Sequence, residues 1–494
     1  MKSSGKILLL LLLAGTGGLP AAAEARPVPA GEVSPVRIHV TYQHTDYVSP
    51  WNRKREESRS GYGCPVAPGK ILTAADIVKD ATTIRLEKSG ESRYFPGRVA
   101  LVDYDVNLAL LAVDDDSFFE GLAPVELADL VQPDQPVQFL VFEEPDRIRA
   151  IPGSIVRISV ERYFLGLNRF LALGAAVNFE DRGGGWSEPV VSGGELVGLT
   201  MSYNGSRHYA VVIPAAIIRR FLEAAGEESY SGFAHEGFAG SPTRCPALRS
   251  FLRLPEDSGG VYVTSVYPRG SAAGVLERGD VVLAVDGRPL DAEGYYEDPG
   301  RGRLEYRDLF SRHYSPGARV ELEVVREGEV SRVGMELRRW LLSDYLVPPY
   351  GTGEDAEYLI TGGAVFQELT LDYLKEWGAN WPLVTNRKFH YHYHYNARQS
   401  LPGRERIVIL NRVLPDEINL GYQGLEDLVL AGVNGRPISR IADLAEALEH
   451  PVRGFHRFTF EEHDREIVFR AGDLAAADAR ISRQYGIPRL RLLR

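Results

Sequence analysis

Residues 181–199 read "DRGGGWSEPVVSGGELVGL". Glycines crowd a turn, a proline follows, and paired valines lead to a GG step. Ser187 inside this turn is a candidate nucleophile. A serine hydroxyl attacks a carbonyl when an imidazole takes its proton and a carboxylate holds that imidazole. Two other serines have a similar setting. Ser192, in "VSGGEL", fits a two-residue hairpin turn of type I′ or II′. "EDSGG" (256–260) stands directly before the strand-like run "VYVTSV" and reads as a loop.

"KFHYHYHYN" places His390, His392 and His394 at period two. On a strand the three imidazoles share one face, and a His-x-His pair suits zinc, copper or nickel. The other reading is an exposed strand or loop of alternating Tyr and His, because no HExxH or CxxC pattern accompanies it. The carboxylates of "DYDVN" and of 114–116 lack EF-hand spacing, so calcium is not inferred. No cofactor is expected.

These residues must be held by elements. From about residue 36 the chain alternates short β-like runs with turns: "VRIHVTYQ", "TTIRLEK", "LALLAV", "PVQFLVF", "GSIVRISVE", "RFLALG", "ELVGLTMSY", "YAVVIP". Strands at this spacing predict a barrel or sandwich. "PAAIIRRFLEAAG" predicts an amphipathic helix with Pro214 near its start. A Gly/Ser-rich linker follows. Beyond it "GDVVLAVDGRPLD", from Gly279, and "EDLVLAGVNGRPIS", from Glu426, form an internal repeat of strand, short turn and GRP step.

The chain has 494 residues, enough for two to four domains. Its formal net charge is -11, which argues against nucleic acid and anionic membrane surfaces as main partners. Lys2 and Lys6, the leucine-rich run "ILLLLLLAG" and the small residues up to Ala23 and Ala25 predict a cleaved secretory leader over 1–25, hence an exported protein, periplasmic or extracellular. No stable membrane span is expected. Export permits a disulfide between Cys64 and Cys245; the alternative is two buried thiols.

Four stretches now fall into a known order: "GYGCPVAPGKILTAADIV" (61–78), "DYDVNLALLAV" (103–113), "GGGWSEPVVSGGELVGL" (183–199) and "GSRHYAVVIPAAII" (205–218). This resembles the trypsin-like domain of the HtrA/DegP family of extracytoplasmic proteases. The resemblance implies a mainly β fold: a trypsin-like double β-barrel over 33–228, then two PDZ-like α+β domains over 229–342 and 343–494. It also implies homo-oligomers, trimers or higher, and PDZ-mediated binding of peptides or unfolded segments.

The family's catalytic histidine, aspartate and serine fall on Asp76, Asn107 and Trp186. All three have changed. Ser187 is one residue out of register, and a one-residue slip along extended chain turns a side chain to the other face. An aspartate with a pKa near ~3.9 is a weak base for a serine hydroxyl. The resemblance therefore implies a pseudoprotease; the alternatives are a serine endopeptidase using Ser187 in a rearranged site, or a metal-binding envelope protein. By the same resemblance, the carboxylate-capturing loop of the first PDZ-like domain falls on Gly237, Phe238, Ala239 and Gly240, with Phe238 and Ala239 lining a small apolar pocket. Its counterpart in the second, Gly362, Gly363, Val365 and Phe366, is read as a structural turn.

Overall fold

The computed structural model describes residues 33–91, 93–143, 147–163, 165–179, 186–256, 258–351, 355–399, 401–462 and 465–494. The leader expected over 1–25 and the glycines at 183–185 lie outside the described residues.

Two closed six-stranded barrels form the first half. The first contains β1 (Val36–Tyr42), β2 (Glu57–Ala67), β3 (Lys70–Ala74), β4 (Ala81–Lys88), β5 (Phe95–Asp103) and β6 (Leu108–Val113), in the order β1-β2-β3-β6-β5-β4. The second contains β7 (Pro136–Glu143), β8 (Arg147–Arg162), β9 (Arg169–Val177), β10 (Pro189–Ser192), β11 (Glu195–Asn204) and β12 (Tyr209–Pro214), in the order β10-β11-β12-β9-β8-β7.

The alternation of β1 explains its placement. Val36, Ile38 and Val40 are buried in the barrel, and the residues between them are half-exposed. "LALLAV" of β6 is buried throughout because it is covered on both faces. Ala109, Leu111 and Val113 fill the first barrel. Leu108 and Leu110 point the other way, into a core shared with Leu140, Leu171 and Leu199 of the second barrel. α1 (Ala75–Val78) is a single turn after β3. α2 (Ala215–Ala225) follows Pro214 as expected and adds Ile217, Ile218 and Phe221 to the shared core.

The "VSGGEL" turn is the hairpin between β10 and β11, with Ser192 opposite Glu195. Gly193 and Gly194 have φ of 60° and 88°, the signature of a type I′ turn.

Beyond α2, β13 (Ala234–His235) is a short pairing strand, and β14 (Phe238–Pro242) begins a sheet that continues through β15 (Val261–Val266) and β16 (Val281–Val285). "EDSGG" does lead into β15. α3 (Pro246–Phe251) lies between β14 and β15 in the chain, and α4 (Arg307–His313) sets Phe310 against Phe238 of β14. A second sheet runs, in spatial order, through strands Glu466–Arg470, Phe455–Phe460, Leu428–Val433, Val408–Val413, Ala364–Glu368, Tyr358–Thr361 and Arg491–Leu492. The internal repeat is one hairpin used twice. Asp286 and Gly287 turn the first copy with φ of 45° and 71°; Asn434 and Gly435 turn the second with 55° and 81°.

Cys64 and Cys245 are both free. Cys64 is buried in β2, and burial pushes its thiol up to about 12. Cys245 corrects the reading of two buried thiols: it precedes Pro246 at the start of the short helix α3, on the surface, and is exposed.

Polar contacts tie the first barrel to segments that follow α2. Asp103 accepts hydrogen bonds from Tyr230 Oη (2.6 Å) and Arg339 Nη2 (3.1 Å). Asp105 donates its N–H to Asp103 Oδ1 at 2.9 Å and accepts from Tyr350 Oη at 3.2 Å. Burial, then the neighbouring Asp103, pushes the Asp105 carboxyl up to about 7. Below that pH the folded chain holds a proton that the unfolded chain releases near the ordinary carboxylate value. Stability contributed by this group is therefore lost as pH rises toward 7. Asp105→Asn, which keeps the neutral form at every pH, is expected to flatten that part of the Tm-against-pH curve. An unchanged slope would show that Asp105 titrates normally.

Candidate functional site between the barrels

The site is built from β3, the turn into α1, the approach to β6 and the approach to β10. Asn107 has φ of 53°, a left-handed conformation that asparagine tolerates better than most residues. This turn aims both of its oxygens at α1. The Asn107 carbonyl accepts the Ala75 N–H at 3.1 Å, and Asn107 Oδ1 accepts the Asp76 N–H at 2.9 Å. Asp76 and Asn107 are thus neighbours, as their positions in the resemblance require. They do not form a relay. Asp76 Oδ1 and Asn107 Nδ2 are both buried without a hydrogen-bond partner. Burial pushes the Asp76 carboxyl above its usual range, against the opposing pull of Asn107 and of Arg59.

Trp186 and Ser187 face opposite ways. Trp186 is 51% exposed, while Ser187 is 1% exposed. Ser187 has φ of 70°. The loop is pinned by backbone pairs on both sides: the Tyr62 N–H donates to Trp186 O (3.1 Å), and the Ser187 N–H donates to Thr200 O (3.1 Å). Trp186 N–H also donates to Glu188 Oε1 at 3.1 Å, so the buried Glu188 side chain folds back on its own turn. Ser187 Oγ then points across to β3. It accepts the Ala74 N–H at 2.9 Å and lies 3.3 Å from Thr73 Oγ1. Thr73 Oγ1 donates in turn to Tyr62 O at 2.8 Å. The Ser187 hydroxyl is a hydrogen-bond acceptor in a strand seam. Among the described residues, its side-chain hydrogen bonds go to Ala74 and Thr73, and neither can act as a base.

The Gly237–Gly240 loop has part of the expected form. Gly237 has φ of 78°, and a Cβ there would come 2.5 Å from the Ser271 backbone nitrogen. Its N–H donates to His235 Nδ1 at 2.9 Å. Burial lowers the His235 ring to about 4, which leaves that nitrogen free to accept. Among the described strands β14 pairs with β15 alone, which leaves its other edge without a strand partner there. Ala239 and Gly240 on that strand are half-buried.

The apolar pocket expected beside Phe238 is a correction. Phe238 is fully buried, stacked on Tyr306 (5.6 Å) with Phe310 edge-on (6.4 Å), so the ring belongs to the core. The open space near the strand is instead a polar groove of about 460 Å³ lined by Gly240, Ser241, Tyr295 and Arg307, with Arg157 and Glu161 of β8 opposite. Sequence reasoning also missed Glu236. This carboxylate is buried beside the loop and accepts from Arg307 Nε at 3.0 Å. Burial alone would raise it, but His235 and Arg307 hold it below the usual carboxylate range.

Gly362 and Gly363 form a hairpin turn with φ of 57° and 85°. The Gly362 N–H is taken by Asp478 Oδ1 (2.6 Å), and the Gly363 carbonyl accepts from Leu414 N–H (2.7 Å). Val365 and Phe366 are fully buried on a strand paired along both edges. The far edge of the preceding strand is covered by Arg491–Leu492, the chain's own last strand.

The histidine segment is a helix, Arg387–Asn396, and not a strand. Residues two apart on a helix point to opposite sides, so the three imidazoles do not share a face. His390 and His394 are adjacent, with ring centroids 4.2 Å apart. His392 is buried on the opposite side, with Nε2 3.6 Å from Glu461 Oε2. The period-two pattern hid a helical one: Phe389, His392, Tyr393 and Asn396 are the buried positions. Among the described residues, the cluster with metal-ligand spacing is Asp298, Asp308 and His313. Arg312 already supplies its counter-charge, 2.5 Å from Asp298 Oδ2 and 2.6 Å from Asp308 Oδ2.

The Ser187 contacts make a stability test. Ser187→Ala leaves the buried Ala74 N–H without its acceptor and should cost about 1–3 kcal/mol. Urea unfolding of the full chain reads this. A variant as stable as the parent would mean that the bond to Ala74 is not made.

Residues 347–491 match a family described as a PDZ domain. Protease Do-like 2, chloroplastic, of Arabidopsis thaliana is 28% identical over 464 residues, covering 92% of this chain and 74% of its own length. Protease Do-like 4, mitochondrial, of the same plant is 25% identical over 427 residues, with 84% and 76% covered. A serine protease DegP homolog of Plasmodium falciparum is 26% identical over 524 residues, with 84% and 58% covered. Among solved structures, the HtrA-type protease AlgW with tripeptide aligns at a TM-score of 0.48 and 19% identity, covering 63% of this chain and 95% of that one. With two six-stranded barrels leading into a C-terminal PDZ domain, the chain is similar along 92% of its length to a Do-like protease.

Proposed function

We propose that this chain is a proteolytically inactive HtrA/Deg-type protein that binds peptide tails or non-native segments. The observation that carries the first half is the pair of contacts at the barrel seam. An aspartate stands where the mechanism needs an imidazole, and the one hydroxyl in the loop accepts the Ala74 N–H. A serine without a positioned base is a poor nucleophile at neutral pH. The second half is supported by the PDZ family match and by the edge of β14 that has no strand partner among the described strands. The chain divides, on this reading, into a barrel domain over 33–228 and PDZ-like domains over 229–342 and 343–494. It assembles as trimers or larger oligomers, and the leader over 1–25 exports it. The Arabidopsis relatives carry "chloroplastic" or "mitochondrial" in their names, and those compartments are theirs. None of the described helices is long and apolar enough to cross a membrane.

Two measurements test the reading. Incubation with a fluorophosphonate serine probe should leave the protein unlabelled, and casein should stay intact beside it. Stoichiometric labelling of Ser187, with casein cleavage abolished by Ser187→Ala, would establish the rearranged endopeptidase instead.

For binding, the full chain should take free C-terminal peptides with dissociation constants on the order of micromolar. The same peptides amidated at the C-terminus should bind at least about tenfold more weakly, because capture by backbone N–H groups needs the carboxylate. Equal affinity for both forms would reduce Gly237–Gly240 to a turn.

A further inference from the structure

The loop over Gly237–Gly240 is held from behind at its first residue. The Gly237 N–H donates to His235 Nδ1 at 2.9 Å, and the Gly237 carbonyl accepts the Tyr267 N–H at 2.8 Å. The two residues that grip Gly237 share one wall. The His235 and Tyr267 rings pack on the Trp340 indole with centroids 5.8 Å and 5.5 Å away, and they lie 6.0 Å from each other. In a close-packed interior a shift of one ring is passed to its neighbours. The placement of Trp340 and Tyr267 therefore sets where the peptide units of Gly237 point.

One cation from the far end of the chain closes this wall. Arg398 stands just beyond the helix Arg387–Asn396. Its guanidinium lies 5.4 Å from the Tyr267 ring, 5.5 Å from Tyr345 and 6.0 Å from Trp340, within cation–π range of all three. Its Nη2 donates to Asn168 Oδ1, between β8 and β9 of the second barrel, at 2.5 Å and to Tyr345 Oη at 3.3 Å. The next residue reaches the same sheet: Gln399 Nε2 donates to Ser265 Oγ at 3.4 Å, and Ser265 is the β15 residue opposite Ala239. Residues 398 and 399 thus touch the supports of both Gly237 and Ala239.

We propose that Arg398 is a positioning residue for carboxylate capture by the Gly237–Gly240 loop, so that the loop recognises a peptide end only with the C-terminal region docked behind it. This inference rests on the peptide-binding reading given above. Arg398 does not touch the peptide. It fixes Tyr267 and Trp340, these fix His235 and Gly237, and a loop already set in its binding shape loses less freedom when the carboxylate arrives. Without the guanidinium the three rings lose their common partner, and the amides of the loop are no longer aimed at one point.

The test is calorimetric titration of the full chain with C-terminal peptides, free and amidated, in the parent and in Arg398→Ala. The parent should prefer the free form. Arg398→Ala should bind the free form at least about fivefold more weakly, which is the scale of losing one set of cation–ring contacts, with the amidated form little changed. Should Arg398→Ala fail to fold by circular dichroism, Asn168→Ala, which releases one end of the guanidinium, should show a loss in the same direction. A parent that binds both forms alike overturns the peptide-capture reading and this inference with it. A parent that prefers the free form, beside variants that bind it as tightly or more tightly, overturns the role of Arg398 alone. So does an equal loss for free and amidated peptides, which would make Arg398 a support of the fold with no part in carboxylate recognition.

Discussion

The apolar seam between the two barrels is the constraint on which the rest of the molecule depends. Leu72, Leu108 and Leu110 come from the first barrel, Leu140, Leu171 and Leu199 from the second, and Ile217 and Phe221 from α2. The same cluster runs on into Phe238, Tyr306 and Phe310 of the following sheet. Each such side chain gains about 1.5–3 kcal/mol on burial. A continuous cluster therefore fixes the barrels and the next sheet as one body, and the site can be set only where that body leaves its strand ends.

What the seam presents at those ends is a set of hydrogen bonds that satisfy backbone groups. Asn107 holds the first turn of α1, Ser187 takes the Ala74 N–H, and Thr200 ties both the Ser187 amide and the Glu188 carbonyl. In a working serine hydrolase the nucleophile, base and carboxylate point at one another. Here each polar side chain is turned to its neighbouring backbone, and Asp76 Oδ1 and Asn107 Nδ2 are left over.

Much of this was legible in the sequence. The short β-like runs gave the barrel strands, the GG step gave the hairpin after Ser192, and the GRP repeat gave the paired strand and turn used twice. The mismatch was read from three local stretches: "LTAAD" for Asp76, the residue before "LALL" for Asn107, and a count back from Pro189 for Trp186. What escaped did so for physical reasons. The histidine segment alternates Tyr and His at period two, and only the depth of Phe389, Tyr393 and Asn396 in a core built by distant residues makes it a helix. Phe238 reads as a pocket wall until Tyr306, 68 positions away, stacks on it. The pairing of Asp103 with Arg339 joins residues 236 positions apart, which no local pattern can report.

The central claim is that Ser187 is a structural acceptor and not a nucleophile, and amide hydrogen exchange at Ala74 tests it most directly. If Ser187 Oγ accepts the Ala74 N–H as the geometry shows, that amide should exchange slowly in the parent protein and markedly faster in Ser187→Ala, with the other β3 amides little changed. Equal exchange rates at Ala74 in the two proteins would mean that the hydroxyl points elsewhere, free for chemistry, and would contradict the account.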